Sequence, residues 1–172
     1  MRHRAKEPRA AALVTALRDA GATVATAESL TGGRLAALLT EVPGASAAYQ
    51  GGVVAYASEL KVELLDVPQA LVDRYGVVSA ECALAMARGV RRLAGATYGA
   101  STTGVAGPDS QEGKPVGAVF VAVAGPEGQE SVLALELVGD RAGIQDRTCE
   151  EAVRALTDIV TRHLPGEEPR LG

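Results

Sequence analysis

The sequence predicts an α/β protein, a three-layer α/β/α sandwich with a mixed, mostly parallel central sheet. Three observations predict it. Helix-patterned and strand-patterned segments alternate through the first half, an order that places helices on both faces of a sheet. Two β-rich runs around the turn "GPEG" follow at 116–138 and read as a hairpin, which makes the sheet mixed. The 172 residues are 47% hydrophobic but only 3% aromatic, with no Trp. The core must therefore be built from Ala, Val and Leu in close helix–sheet contact.

Each element follows from local pattern. "PRAAALVTALRDAG" opens at Pro8 and closes at Gly21, with Leu13, Ala16, Leu17 and Ala20 on one stripe, a helix. "ATVATAE" (22–28) is a short strand. "TGGRLAALLTEV" resumes helical spacing from Thr31 until "PGAS" stops it. "AAYQGGVVAY" (47–56) is a strand with a glycine pair that suggests a bulge. "SELKVELLDV" is a short helix with Ser58 as N-cap, and "PQALVDRYG" is a second. Ser79 caps a clearer helix whose buried face is Ala83, Met86, Ala87, Val90 and Leu93. "TYGASTTG" is a strand ending in glycine, and "VAGPDSQEGKP" is a breaker-rich loop. After the hairpin and "GDRAG", a final helix carries Ile144, Val153, Leu156, Ile159, Val160 and Leu164 on its apolar side. One domain over 8–164, flanked by a flexible start (1–7) and tail (165–172), accounts for the whole chain.

Charge and composition narrow the function classes. With 17 basic and 21 acidic residues the net charge is −4, which argues against a nucleic-acid binder but leaves a small anionic ligand open. Cys82 and Cys149 are far apart and in no CxxC pattern, so they read as buried hydrophobes of a reduced protein. The start "MRHRAK" precedes no signal-peptide core, and no apolar run is long enough to span a bilayer. A cytoplasmic protein without membrane partners is the expectation.

Three loops collect polar groups beyond strand ends: Ser29–Gly33, Thr102–Gly107 and Gly139–Arg141. Ser29 lies between a strand and a helix, where Gly32 and Gly33 leave backbone N–H groups approachable and the helix terminus is partly positive. The same spacing also fits Ser29 or Thr31 as a plain helix cap. A serine nucleophile needs a base. His3 and His163 stand at the chain ends, which argues against a Ser-His-Asp triad and against a His-paired metal site. Of Lys6, Lys61 and Lys114, only Lys61 sits in the first turn of a helix, where the dipole and burial would lower its pKa and let it act as a base. Tyr56 would then orient the amine or relay the proton. An exposed, ion-paired Lys61 is the competing reading. Arg141 suits a forked grip on an anion, or an ion pair with Asp140. Thr103, before Gly104, offers a hydroxyl to the same cleft or merely satisfies a strand end.

The segments "TAESLTGG", "VPGASAAYQGGVVAYASELKVELLDV", "GVVSAECALAMARG", "TTGVAGPDSQEGKPVG" and "GDR" together resemble the CinA C-terminal domain family, over about residues 8–164. The resemblance implies the same three-layer fold. It also implies the activity of a nicotinamide-nucleotide amidohydrolase: nicotinamide mononucleotide becomes nicotinic acid mononucleotide and ammonia, with no metal or cofactor. In these terms Ser29 is the nucleophile, Lys61 the base and Tyr56 its assistant. The oxyanion and substrate are held by Thr31, Gly32, Gly33, Thr103, Gly104 and Arg141. A pyridine nucleotide is the only small-molecule partner expected, and a homodimer the implied assembly. The chain departs from the usual pattern in "ASELK" and in the glycine-poor loop "GPDSQEGKPVG", which bears on substrate fit. It shows no nucleotide-processing domain of the kind longer relatives carry, so no pyrophosphatase activity is carried over. The rival reading is a competence-related nucleotide-binding or interaction module; a Mg²⁺-dependent phosphatase is a distant third.

Overall fold

The computed structural model describes residues 7–162. Its elements are α1 (Glu7–Asp19), β1 (Val24–Glu28), α2 (Arg34–Thr40), β2 (Tyr49–Val54), α3 (Ser58–Leu65), α4 (Gln69–Tyr75), α5 (Ala80–Ala94), β3 (Tyr98–Gly104), β4 (Ala118–Ala124), β5 (Glu130–Glu136) and α6 (Arg141–Arg162). The five strands form one sheet in the order β2-β1-β3-β4-β5. β1 pairs parallel with β2 and β3, whereas β4 pairs antiparallel with both β3 and β5. Four strands therefore run one way and β4 alone runs against them, the mixed sheet that the hairpin implied. The expectations for the chain ends, with His3, Lys6, His163 and Leu164, lie outside the described residues.

Side-chain alternation on the strands builds two cores. On one face Val24, Ala100, Val119, Val121 and Val123 meet Leu13 and Leu17 of α1, Leu35 and Leu39 of α2, and Ile144, Val153 and Leu156 of α6. On the other, Ala25 and Ala27 meet Leu65 of α3 and Cys82, Met86 and Val90 of α5. Small residues are obligatory here. A Cβ at Gly99 would stand 2.1 Å from the Ala87 carbonyl oxygen, and one at Gly89 would stand 1.9 Å from that of Leu65. Helix α5 rests directly on the sheet backbone, as the aromatic-poor composition required.

Several local expectations change. α2 begins at Arg34 rather than Thr31, because Gly33 takes the cap position at φ 96°. Ser58 is the first residue of α3 and Ala57 its N-cap, without a side-chain cap bond. Ser79 does cap α5, accepting from Cys82 N. The β2 bulge falls where the register skips from Val24↔Tyr49 to Ala25↔Gly51. Gly52 then lies under the Thr26–Tyr49 hydroxyl pair, with no room for a side chain. Leu93 is exposed, since it stands in the last turn as the chain leaves the sheet for Gly95. Ala20 is exposed too, one residue beyond α1.

Candidate active site

The parallel part of the sheet sets Ser29 against Lys61. β1 ends at Glu28, and Ser29 N–H donates to Thr102 O at 3.0 Å, which extends the β1–β3 ladder by one residue. On the other side, Ala55 N–H donates to Glu28 O at 2.9 Å. The Ala55 carbonyl in turn accepts the Lys61 amine at 2.7 Å, and that amine lies 3.1 Å from Ser29 Oγ. Alcohol and amine are thus spaced by main chain on both sides. Lys61 is 1% exposed, so it is not a solvated ion-pair lysine. Burial holds its amine below the ordinary lysine range, while Cys82, Glu112 and Glu59 pull more weakly the other way. When the amine is neutral, the contact reverses and the Ser29 hydroxyl donates to the nitrogen lone pair.

The pair opens into a cavity of about 190 Å³ whose lining includes Ser29, Tyr56, Lys61, Thr103, Gly104 and Arg141. Gly104 is required there, since a Cβ would stand 2.6 Å from Ala118 O. Larger hollows of about 370 Å³ beside β5 and α6 and about 490 Å³ around 40–49 bring no serine against a buried amine. Arg141 is the first residue of α6, exposed, and free of Asp140, whose carboxylate instead accepts from Gly143 N. Its guanidinium donates to Gly107 O at 2.5 Å and to the Tyr56 hydroxyl at 2.8 Å, leaving other N–H groups of the fork for a ligand.

The structure places three of the expected groups as follows. Tyr56 is 60% exposed and bonded to Arg141; among the described residues it makes no bond to Lys61 or Ser29. The Lys61 amine is bonded instead to the Ala55 carbonyl. Thr103 donates its hydroxyl to Val77 O at 2.7 Å, so it closes the cavity wall rather than presenting a free donor. Thr31, Gly32 and Gly33 do not line the cavity. The reason is Glu28, a 1% exposed carboxylate that accepts from Leu35 N, Ala36 N and the Thr31 hydroxyl. The positive start of α2 is filled from within, and Thr31 is bound between Glu28 and Thr102.

Sequence reasoning missed Ala55, Glu28, Asp109 and Gln111. Glu28 carried a signal, a carboxylate at a strand end just before a helix, which is a capping position. Ala55 acts through its backbone and carried none. Asp109 and Gln111 line the cavity from the polar loop after β3. Cys82 and Cys149 are both buried, and burial pushes the Cys82 thiol up to about 11, against thiolate formation. Among the described residues no group of three or more His, Cys, Asp or Glu could hold a metal ion, and no helix is long and apolar enough to cross a membrane.

Comparison with known proteins gives one family. The CinA C-terminal domain profile matches residues 6–160. A CinA-like protein of Frankia casuarinae is 51% identical over 145 residues, 84% of this chain and 32% of its own length. The chain spans about a third of the length of the curated relatives it matches. The crystal structure of a competence damage-inducible protein A from Klebsiella pneumoniae has a TM-score of 0.89 at 31% identity, covering 92% of this chain and 99% of that one. That of the competence/damage inducible protein CihA from Agrobacterium tumefaciens has a TM-score of 0.87 at 33% identity, covering 90% and 94%.

Proposed function

The chain belongs to the CinA C-terminal domain family, and from that premise we propose that it is a nicotinamide-nucleotide amidohydrolase working through Ser29 and Lys61 in pyridine nucleotide salvage. The observation that carries the reading is the buried Lys61 amine 3.1 Å from Ser29 Oγ at the floor of a cavity. A neutral amine beside an alcohol can serve as a general base to that nucleophile.

In this reading the Ser29 oxygen attacks the carboxamide carbon as its proton passes to Lys61. Arg141 draws the nucleotide phosphate to the mouth. The resulting ammonium on Lys61 returns the proton to the amide nitrogen, the C–N bond breaks and ammonia leaves. Water then attacks the Ser29 ester as Lys61 takes its proton, the acyl carbon–Oγ bond breaks with that proton returned from Lys61 to Ser29 Oγ, and the nucleotide departs as a carboxylic acid that ionises in solution. Ala55 O holds the amine in line throughout. The substrate is small and no cofactor is needed.

Ammonia release from nicotinamide mononucleotide by the purified protein tests this, beside Ser29→Ala. Release by the wild type and its loss in the variant support the hydrolase. The relatives' names favour a second reading, a competence-related binding module. Calorimetric binding of the nucleotide with no ammonia from either protein would favour that one.

A further inference from the structure

Within the hydrolase reading, on which this rests, we infer that Asp109 and Gln111 are the substrate's ribose contacts, Asp109 taking the 2′,3′-diol. The cavity is lined by seven polar side chains: Ser29, Tyr56, Lys61, Thr103, Asp109, Gln111 and Arg141. Ser29 and Lys61 hold each other, Thr103 is spent on Val77 O, and Tyr56 is engaged by Arg141. Asp109 and Gln111 alone have no protein hydrogen-bond partner for their side chains among the described residues.

The loop that carries them is anchored on both sides. Before Asp109, Gly107 O accepts from Arg141. After it, the Glu112 carboxylate accepts from Val77 N and Val78 N, each at 3.1 Å. Gln111 and Lys114 exchange backbone bonds across a turn in which Glu112 (φ 52°) and Gly113 (φ 70°) are both left-handed, so Gln111 opens a closed turn and Asp109 stands two residues before it. Asp109 and Gln111 are exposed residues of this anchored loop that line the cavity.

Its chemistry selects the ligand. An ionised carboxylate only accepts, and it accepts two hydroxyls at once. In the cavity that it shares with Arg141 it would repel a phosphate from its own position, and in the hydrolase reading the reacting amide belongs at Ser29. The section of the substrate between those ends is the sugar, whose neighbouring hydroxyls are the donors that a carboxylate reads in other nucleotide sites. This makes the loop a device that separates nucleotides from bare amides.

A substrate–variant cycle tests it. Rates are measured on nicotinamide mononucleotide and its 2′,3′-dideoxy analogue, for wild type and Asp109→Ala. Removing the hydroxyls should lower kcat/KM of the wild type about 10- to 100-fold. In Asp109→Ala that penalty should shrink to about twofold, and Gln111→Ala should reduce it by a smaller factor. An equal penalty in wild type and Asp109→Ala overturns the assignment. Should the wild type release no ammonia at all, the hydrolase reading fails alone, and the same cycle is read from calorimetric affinities of Ser29→Ala with and without Asp109→Ala. Equal affinity of both ligands for Ser29→Ala, or binding of neither, overturns the ribose assignment there.

Discussion

At the floor of the cavity Lys61 is 1% exposed, and the groups that space it from Ser29 are backbone amides and carbonyls of β1, β3 and the β2–α3 turn. At the mouth Tyr56 is 60% exposed, and its hydroxyl meets Arg141 side chain to side chain. The floor owes its geometry to the ladder of a parallel sheet, which shifts only if the sheet does. The mouth owes its geometry to long side chains and a loop, which change with single residues. The groups that place Ser29 and Lys61 are thus main chain, and those that place Arg141 include a second side chain.

The sharpest way to break this contrast is at the floor. Lys61→Ala should lower kcat about 10³- to 10⁴-fold while circular dichroism stays native; a loss under tenfold would remove the base from the account. The pH profile adds a second check. Neutral amine is the active form, so kcat/KM should rise with pH through the Lys61 pKa, and burial places that rise below the ordinary lysine range. A rise centred near about pH 10.4 would mean an unperturbed lysine.

At the mouth the effects should be smaller and of another kind. Arg141→Ala should raise KM for nicotinamide mononucleotide about 10- to 100-fold with a lesser change in kcat, because the fork binds ground state and transition state alike. A loss confined to kcat would move Arg141 to the floor.

Stability should separate the two ends as well. Lys61→Met replaces a buried amine by an apolar chain of similar length and should stabilise the fold at pH 7 by about 1–3 kcal/mol. The sign with pH follows from linkage. The unfolded chain keeps the lysine proton to about pH 10.4, the folded chain gives it up earlier, and wild-type stability rises with pH between the two values. The advantage of Lys61→Met in thermal unfolding should therefore shrink as pH rises; a constant advantage would mean that the buried amine is charged throughout. Tyr56→Phe removes one exposed hydrogen bond and should cost about fivefold or less in kcat/KM. A loss as large as that of Lys61→Ala would return the tyrosine to the proton path.

How much of this was legible in the chain depends on the range of the interaction. Periodicity and breakers are local, so the alternation of helices and strands, the 116–138 hairpin, the Ser79 cap and the small-residue core could be read directly. So could the identities Ser29, Lys61 and Arg141, from motifs that resemble one family. What no local pattern contains is which partner a polar group finds across the fold. Thr103 is 26 residues from the Val77 carbonyl that takes its hydroxyl, and Arg141 is 85 from the tyrosine that it holds. Glu28 reaches only seven and eight residues to Leu35 N and Ala36 N, yet it diverts a helix terminus that looked open to a ligand. Sequence alone determined the order of the elements and singled out Ser29, Lys61 and Arg141 as candidates, because side-chain type and short-range spacing suffice for that. The tertiary structure decided which of them face the cavity, since hydrogen bonds are directional and each buried donor donates to the oxygen that the packed chain brings within about 3 Å.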